Sequence, residues 1–277
     1  MPRRRTDPPA TPPALPAPPD RRQRVQAAST GVEVLKGLAD LDGRASLSAL
    51  AVHLGEAPAK LHRYLGSLVD AGLVAQDSAT QHYALGAEAI RIGLAAMRQV
   101  DAVRLAEPAL ARLRAALGLT AFVAVMGNHG PTVLRLDEPG LPVTVNVRPG
   151  SVLSLLWSAT GRVFLATRAE GEGPLAAEAL AEWRAATPAQ RAELPARGDI
   201  DTLCATVRQQ GLATVHDSYL RGISAVAAPL IDHSGRTVAV ITVLGASGAF
   251  DASAGGPAAG LLRDEARALS TQMGATA

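Results

Sequence analysis

Four hydrogen-bonding side chains, Lys60, His62, Arg63 and Ser67, fall on one face of the stretch Ala57 to Val74, which reads A-P-A-K-L-H-R-Y-L-G-S-L-V-D-A-G-L-V. Leu61, Leu65, Leu68 and Gly72 recur at helical spacing and make the opposite, apolar stripe. The polar face is kept small by Ala59 and Gly66 and carries two cations. Small, polar and cationic is what a helix needs to enter the major groove of DNA, where phosphates flank the base edges. Arg63 has a planar fork that suits guanine, a pairing worth about 1–3 kcal/mol of discrimination. Lys60 and Arg63 each fit a phosphate clamp as well as a base contact, and both readings stay open. His62 is read as a neutral polar contact, because no partner lies at metal-ligand spacing. Tyr64 either packs on neighbouring structure or reaches phosphate.

The elements that must hold this helix are legible around it. Val32, Leu35, Leu38 and Ala39 make a helical face ended by Asp42-Gly43. Ser46 reads as the N-cap of a helix over Leu47 to Leu54, with a DNA contact as its second possible task. Gly55 to Pro58 is the turn, and Pro58 suits the first position of the next helix. Beyond Gly72, the segments Leu73-Val74-Ala75 and His82-Tyr83-Ala84-Leu85 flank Asp77 to Thr80, a hairpin of wing size with Gln81 and His82 as minor-groove or phosphate candidates. Together these predict a winged helix-turn-helix over residues 23–86. Residues 1–22, rich in Pro and Arg, are expected to be a disordered tail, solvated or attracting phosphate.

Helical periodicity returns at Ile90, Leu94 and Met97, predicting a linker helix over 87–100 with a bend near Val100 and Asp101. A second domain over 101–277 mixes elements. Leu105, Leu110, Leu113 and Leu117 mark a helix, and strands are predicted at Ala121–Met126, Thr132–Leu136 and Val143–Val147. Helices follow from Ser158, over Leu175–Trp183 and over Ile200–Gln210, then a hairpin of Ala225–Ile231 with Thr237–Val243, and a last helix over Pro257–Met273. Strands grouped with flanking helices suggest an α+β domain whose sheet is open on one face.

The two halves together resemble the IclR family of bacterial transcriptional regulators. The resemblance rests on K-L-H-R-Y-L-G-S-L-V-D-A-G-L-V, on Tyr83-Ala84-Leu85-Gly86, on S-A-T-G-R-V-F-L-A from Ser158 to Ala166, and on I-S-A-V-A-A-P-L from Ile223 to Leu230. It implies an α+β chain with an N-terminal winged helix-turn-helix, a linker helix and a C-terminal GAF-like effector-binding domain with an antiparallel sheet. It further implies homodimers or homotetramers on double-stranded DNA operators, as repressor or activator. By the family pattern a small organic acid sits in a pocket of the sheet, its carboxylate held by backbone amides at Ala159, Thr160 and Gly161. A helix N-terminus supplies free donors and a positive dipole end for that task. The remaining matching positions depart from members that bind small oxoacids. They hold Val215 with His216 next, Ala225, Thr242 and Leu244, and Ser154, Leu156 and Trp157 ahead of the helix. Polar partners have become apolar or bulkier, which points to a larger, partly apolar acid, aromatic acids included. The alternative is a DNA-binding regulator whose second domain only oligomerises and binds no effector.

Composition bounds these expectations. The chain has 277 residues, room for two domains. Aromatics make up 3% against 48% hydrophobic residues, so the cores must be aliphatic. The net charge of +2 neither favours nor opposes nucleic acid. Cys204 is the only cysteine, which forbids an intramolecular disulfide and fits a reducing bacterial cytoplasm. No apolar run reaches the ~20 residues of a membrane span, and no secretory signal is expected. No G-x-S-x-G, H-E-x-x-H or G-x-x-x-x-G-K stands in the chain, so no enzyme, metal or cofactor is expected.

Overall fold

A computed structural model describes residues 26–140, 147–167, 175–194, 199–218 and 220–275. The expected tail and most of the predicted strand at Val143–Val147 lie outside these residues; Val147 itself belongs to no strand. The chain divides into two compact units, residues 1–96 and 97–277.

In the first unit, α1 (Gln26–Asp40), α2 (Leu47–Leu54) and α3 (Pro58–Asp70) enclose Val34, Leu38, Leu50, Leu61 and Leu65, none of which is exposed. Local chemistry sets the ends. Ser46 Oγ accepts the Ala49 amide at 3.2 Å, and Gly55 closes α2 in the left-handed region with φ 62°. Pro58 opens α3 as expected. The buried stripe of α1 runs through Val34, Gly37 and Leu38, and Val32 is half exposed, a correction of the face expected for that helix. Gly37 explains the shift, because a Cβ there would meet Leu54 Cδ2 at 2.9 Å.

The wing is β2 (Val74–Gln76) and β3 (Tyr83–Leu85), but the sheet has a third strand, β1 (Arg44–Ala45), paired antiparallel with β3. Two residues are too short to show alternation, so no periodicity marked it. Arg44 nonetheless pins the wing tip, donating to Asp77 Oδ2 at 2.8 Å and Thr80 Oγ1 at 2.9 Å. Next comes α4 (Ala87–Met97), which buries none of its residues.

The second unit opens with α5 (Ala102–Leu117), capped by Asp101. Then come β4 (Thr120–Gly127), β5 (Gly130–Asp137), α6 (Ala159–Thr167), α7 (Leu175–Arg184), α8 (Pro188–Glu193), α9 (Asp199–Gln210), β6 (Ala213–His216), β7 (Ile223–Ile231), β8 (Thr237–Ala246) and α10 (Pro257–Gln272). The five strands form one antiparallel sheet in the order β5-β4-β8-β7-β6.

This sheet is not open on one face. Phe122, Ala124, Ala225, Ala227, Val240 and Leu244 turn to the cluster that includes α6 and α9, while Ala121, Val123, Val226, Ala228, Ile241 and Val243 turn to the cluster with α5 and α10. A strand covered on both sides loses its polar alternation. The run A-V-A-A-P-L-I of β7 has no polar alternate positions and carried that signal. Helix α6 is the inner layer; Ala159 to Ala166 are all buried, with α9 packed outside. No helix among the described residues is long and apolar enough to cross a membrane.

Candidate functional site

The exposed face of α3 holds Ala59, His62, Arg63, Gly66 and Ser67, while Leu61 and Leu65 anchor its other side. These residues do not present equivalent chemistry. Arg63 is exposed and its guanidinium donates to no group among the described residues. Lys60 Nζ is bound to Glu56 Oε1 at 2.6 Å, one turn back. His62 Nδ1 lies 3.3 Å from the Tyr83 hydroxyl, which ties it to the wing. Tyr64 is half-buried against the core of this unit, the packing alternative of the two. Ser67 Oγ donates back to the Arg63 carbonyl at 3.4 Å. Ser46 Oγ is engaged as the cap of α2 and lies 3.0 Å from Ser48 Oγ.

Gln81 departs from its expected role. It sits at φ 59°, its amide nitrogen donates to the Ser78 carbonyl at 2.8 Å and its oxygen accepts from Gln76 Nε2 at 3.1 Å. Its side chain is consumed in closing the wing turn. The Asp77 carboxylate does the same work and is held below its ordinary pKa chiefly by the Thr80 and Ala79 amides.

In the second unit a cavity opens between the sheet and the N-terminus of α6. It is lined by Phe122, Val147, Leu153, Ser158, Ala159, Thr160, Val215, Leu220, Ile223, Ala225, Thr242 and Leu244. Six sequence-predicted positions meet there: Ala159, Thr160, Val215, Ala225, Thr242 and Leu244. The cavity has about 410 Å³ of atom-free space, its open mouth included. The room left for the centres of water-sized spheres is about 40 Å³.

The walls are apolar with one polar corner. Thr160 Oγ1 and Thr242 Oγ1 are 2.9 Å apart, a buried hydroxyl pair joining helix to sheet. Beside them stand the first amides of α6. The first turn of a helix leaves its N–H groups without intrahelical partners. Those of Ala159 and Thr160 have none among the described residues, and both residues are about 1% exposed. A dry wall and two oriented donors at a positive dipole end can hold a carboxylate attached to an apolar body.

Three expected pocket residues lie elsewhere. The Gly161 amide donates to Ser158 Oγ at 2.9 Å, so it offers nothing to an anion. Its smallness serves packing, because a Cβ there would stand 2.3 Å from the carbonyl oxygens of both Ser154 and Leu155. Trp157 is buried in the core, its amide donating to Ser154 Oγ. His216 follows Val215 on β6 and therefore points to the other side; its ring is 70% exposed and its Nδ1 lies 2.7 Å from Ser224 Oγ. Ser224 is fully buried and also contacts Ser247, whose hydroxyl donates to Asp217 at 2.6 Å. This chain of groups straps the turn after β6.

Sequence reasoning missed the apolar walls Phe122, Leu153, Leu220 and Ile223, which read as ordinary core residues. It also missed Arg162, Glu182 and Glu193. Arg162 is buried on α6 and donates to the carbonyls of Leu156 and Thr214 and to Glu193 Oε2 at 3.3 Å. Burial lowers its pKa, and Glu193 beside it pushes the other way. The arginine in G-R-V-F-L-A, flanked by apolar residues, was the available signal. No group of three or more metal-ligating side chains occurs among the described residues.

Two family matches cover most of the chain. Residues 27–78 match the IclR helix-turn-helix domain, and residues 94–271 match the C-terminal domain of the bacterial transcriptional regulator IclR. The chain belongs to the IclR family. It is a DNA-binding transcriptional regulator, as are the relatives it matches. The crystal structure of HmgR from Pseudomonas aeruginosa superposes with a TM-score of 0.79 at 41% identity, covering 90% of this chain and 98% of that one. The transcriptional repressor AllR of Escherichia coli K12 is 26% identical over 93% of this chain and 94% of its own length. BhcR of Paracoccus denitrificans is 28% identical over 80% of this chain and 77% of its own length. The fold is shared with an IclR homolog from Microbacterium hydrocarbonoxydans solved in complex with 4-hydroxybenzoate, at 19% identity and a TM-score of 0.52, covering 90% of this chain and 100% of that chain.

Proposed function

We propose that this IclR-family regulator is controlled by a small, partly apolar carboxylic acid that binds the cavity at the N-terminus of α6. The free amides of Ala159 and Thr160, set in an otherwise apolar wall, carry this reading. The amides take the carboxylate. Phe122, Leu153, Val215, Ile223 and Leu244 enclose the apolar part. The Thr160–Thr242 pair offers a hydroxyl to a polar substituent. The homolog solved with 4-hydroxybenzoate makes aromatic acids the first to test.

Arg63 is assigned to base reading, since its guanidinium has no partner among the described residues, whereas Lys60 pairs with Glu56. Lys60, paired with Glu56, is assigned to phosphate, with His62, Ser67 and Ala59 at the groove surface. The exposed apolar residues Ile90, Leu94 and Met97 recur along α4 at 60%, 46% and 43% exposure. A second copy of the chain covers them in the dimer that a two-part operator needs.

The test is a thermal-shift panel of aliphatic, benzoic, phenylacetic and cinnamic acids, followed by operator titration with the acid that shifts most. A ligand at 100 times its Kd raises stability by about 2.7 kcal/mol. A shift in melting together with altered operator affinity is expected. The small free volume favours one competing reading, in which the second unit only oligomerises. No shift with any acid, alongside intact operator binding, would establish that reading instead.

A further inference from the structure

Resting on the effector-cavity reading, we propose that Glu182 is the positioning residue that gives the cavity its preference for a carboxylate over a neutral guest. Glu182 lies on α7 and does not line the cavity. Its carboxylate accepts the Leu155 amide at 2.9 Å, the Leu156 amide at 2.8 Å and the Ser154 hydroxyl at 2.6 Å. Hydrogen bonds to a charged acceptor are about twice as strong as neutral ones, and three converge here.

The bonding continues from there to the first turn of α6. Ser154 Oγ accepts the Trp157 amide at 2.9 Å. Ser158 Oγ donates to the Ser154 carbonyl at 2.5 Å and accepts the Gly161 amide at 2.9 Å. The carbonyl side of the same turn is gripped as well, because Arg162 Nε donates to the Leu156 carbonyl at 2.9 Å, backed by Glu193 on α8. The lead-in to α6 is thus clamped by a carboxylate on its N–H side and a guanidinium on its C=O side. Of the backbone N–H donors from Leu155 to Gly161, those of Ser158, Ala159 and Thr160 have no partner among the described residues; the last two open the first turn of α6, and the clamp fixes where they point. The negative charge of Glu182 by itself repels an anion, but that charge is spent on three donors. Its contribution to the guest is therefore geometric.

A residue that merely supports the fold would weaken every ligand alike. One that aims the amides would weaken the acid selectively. The measurement is calorimetry on the full chain, using the panel acid that binds wild type most tightly and the carboxamide of that same acid. Glu182→Ala is expected to lower affinity for the acid by about tenfold or more while the carboxamide stays within about twofold. Glu182→Gln, which keeps one acceptor oxygen, recovers part of the loss. Equal losses for acid and carboxamide, or an acid bound as tightly as by wild type, would overturn the proposal. Should Glu182→Ala fail to fold, Ser154→Ala interrupts the same relay and must show the same split. A wild-type protein that binds its operator but no acid overturns the cavity reading, and this role with it. Operator duplexes selected from a randomised pool supply that control.

Discussion

Gly161→Ala and Gly66→Ala make the same chemical change in two helices, and the structure requires opposite outcomes. In a helix interior, alanine is favoured over glycine by about 1 kcal/mol. At Gly66, on the exposed face of α3, a Cβ meets nothing within 4 Å, so that gain is realised. At Gly161 the Cβ would stand 2.3 Å from two backbone carbonyl oxygens, Ser154 and Leu155. A carbon normally approaches a carbonyl oxygen to about 3.3 Å, so the turn must move by roughly 1 Å. Overpacking costs about 1–3 kcal/mol. Moving the turn also strains the bonds from Glu182 to Leu155 and Ser154, and a hydrogen bond to a charged group contributes about 1.5–3 kcal/mol. With one such bond counted in full and the propensity gain subtracted, Gly161→Ala loses about 1.5–5 kcal/mol. For a unit of this size that lowers the melting temperature by roughly 3–20 °C. Both tryptophans, Trp157 and Trp183, lie in the second unit, so their fluorescence in a urea titration follows that unit alone. A Gly161→Ala midpoint at or above wild type would refute the reasoning, because it would mean the 154–155 backbone yields freely. Gly66→Ala leaves this transition in place and raises melting of the first unit by a few degrees.

Arg63→Ala keeps the fold and lowers discrimination between operator and random duplex by about 1–3 kcal/mol in a mobility-shift assay; unchanged discrimination would remove Arg63 from base reading. Glu56→Gln frees the Lys60 ammonium from its 2.6 Å partner, so affinity for any duplex rises and the log–log salt slope steepens by up to about one unit. The Asp217 carboxylate is held below its ordinary value of 3.8 chiefly by the Ser247 hydroxyl, with the Gly222 amide and His216 adding to it. A depressed folded pKa adds stability above the unfolded value and loses it as pH falls through the folded one. Asp217→Asn is therefore less stable than wild type at neutral pH, and the difference closes as pH drops below 3.8.

Elements whose reasons are local were readable in advance. Ser46 caps α2 and Pro58 opens α3, because each acts within a few residues of its own position. The six cavity residues predicted from the chain lie on α6, β6, β7 and β8, where similarity of short motifs carries over position by position. What failed were judgements about what covers what. The sheet was taken as open because α5 and α10, far apart in sequence, pack on its second face. Gly161 was taken as an opening for an anion because nothing in S-A-T-G-R shows the Ser154 and Leu155 carbonyls folded back against it.

By its order of residues alone, this chain determines an amphipathic helix with a small cationic face, the caps and turns that frame it, and a second unit rich in apolar strands. Helical and strand periodicity, like capping, are nearest-neighbour effects, and they survive translation from one dimension to three. Only the tertiary structure decides what covers each strand of the second unit, as α5 and α10 cover the second face of the sheet. It alone shows which amides at the start of α6 remain unpaired, and that Glu182 and Arg162 hold the turn beside them. Those outcomes depend on groups brought together across 26 to 28 residues on the Glu182 side, and across 31 and 52 on the Arg162 side. No spacing rule relates residues so far apart until the chain has packed.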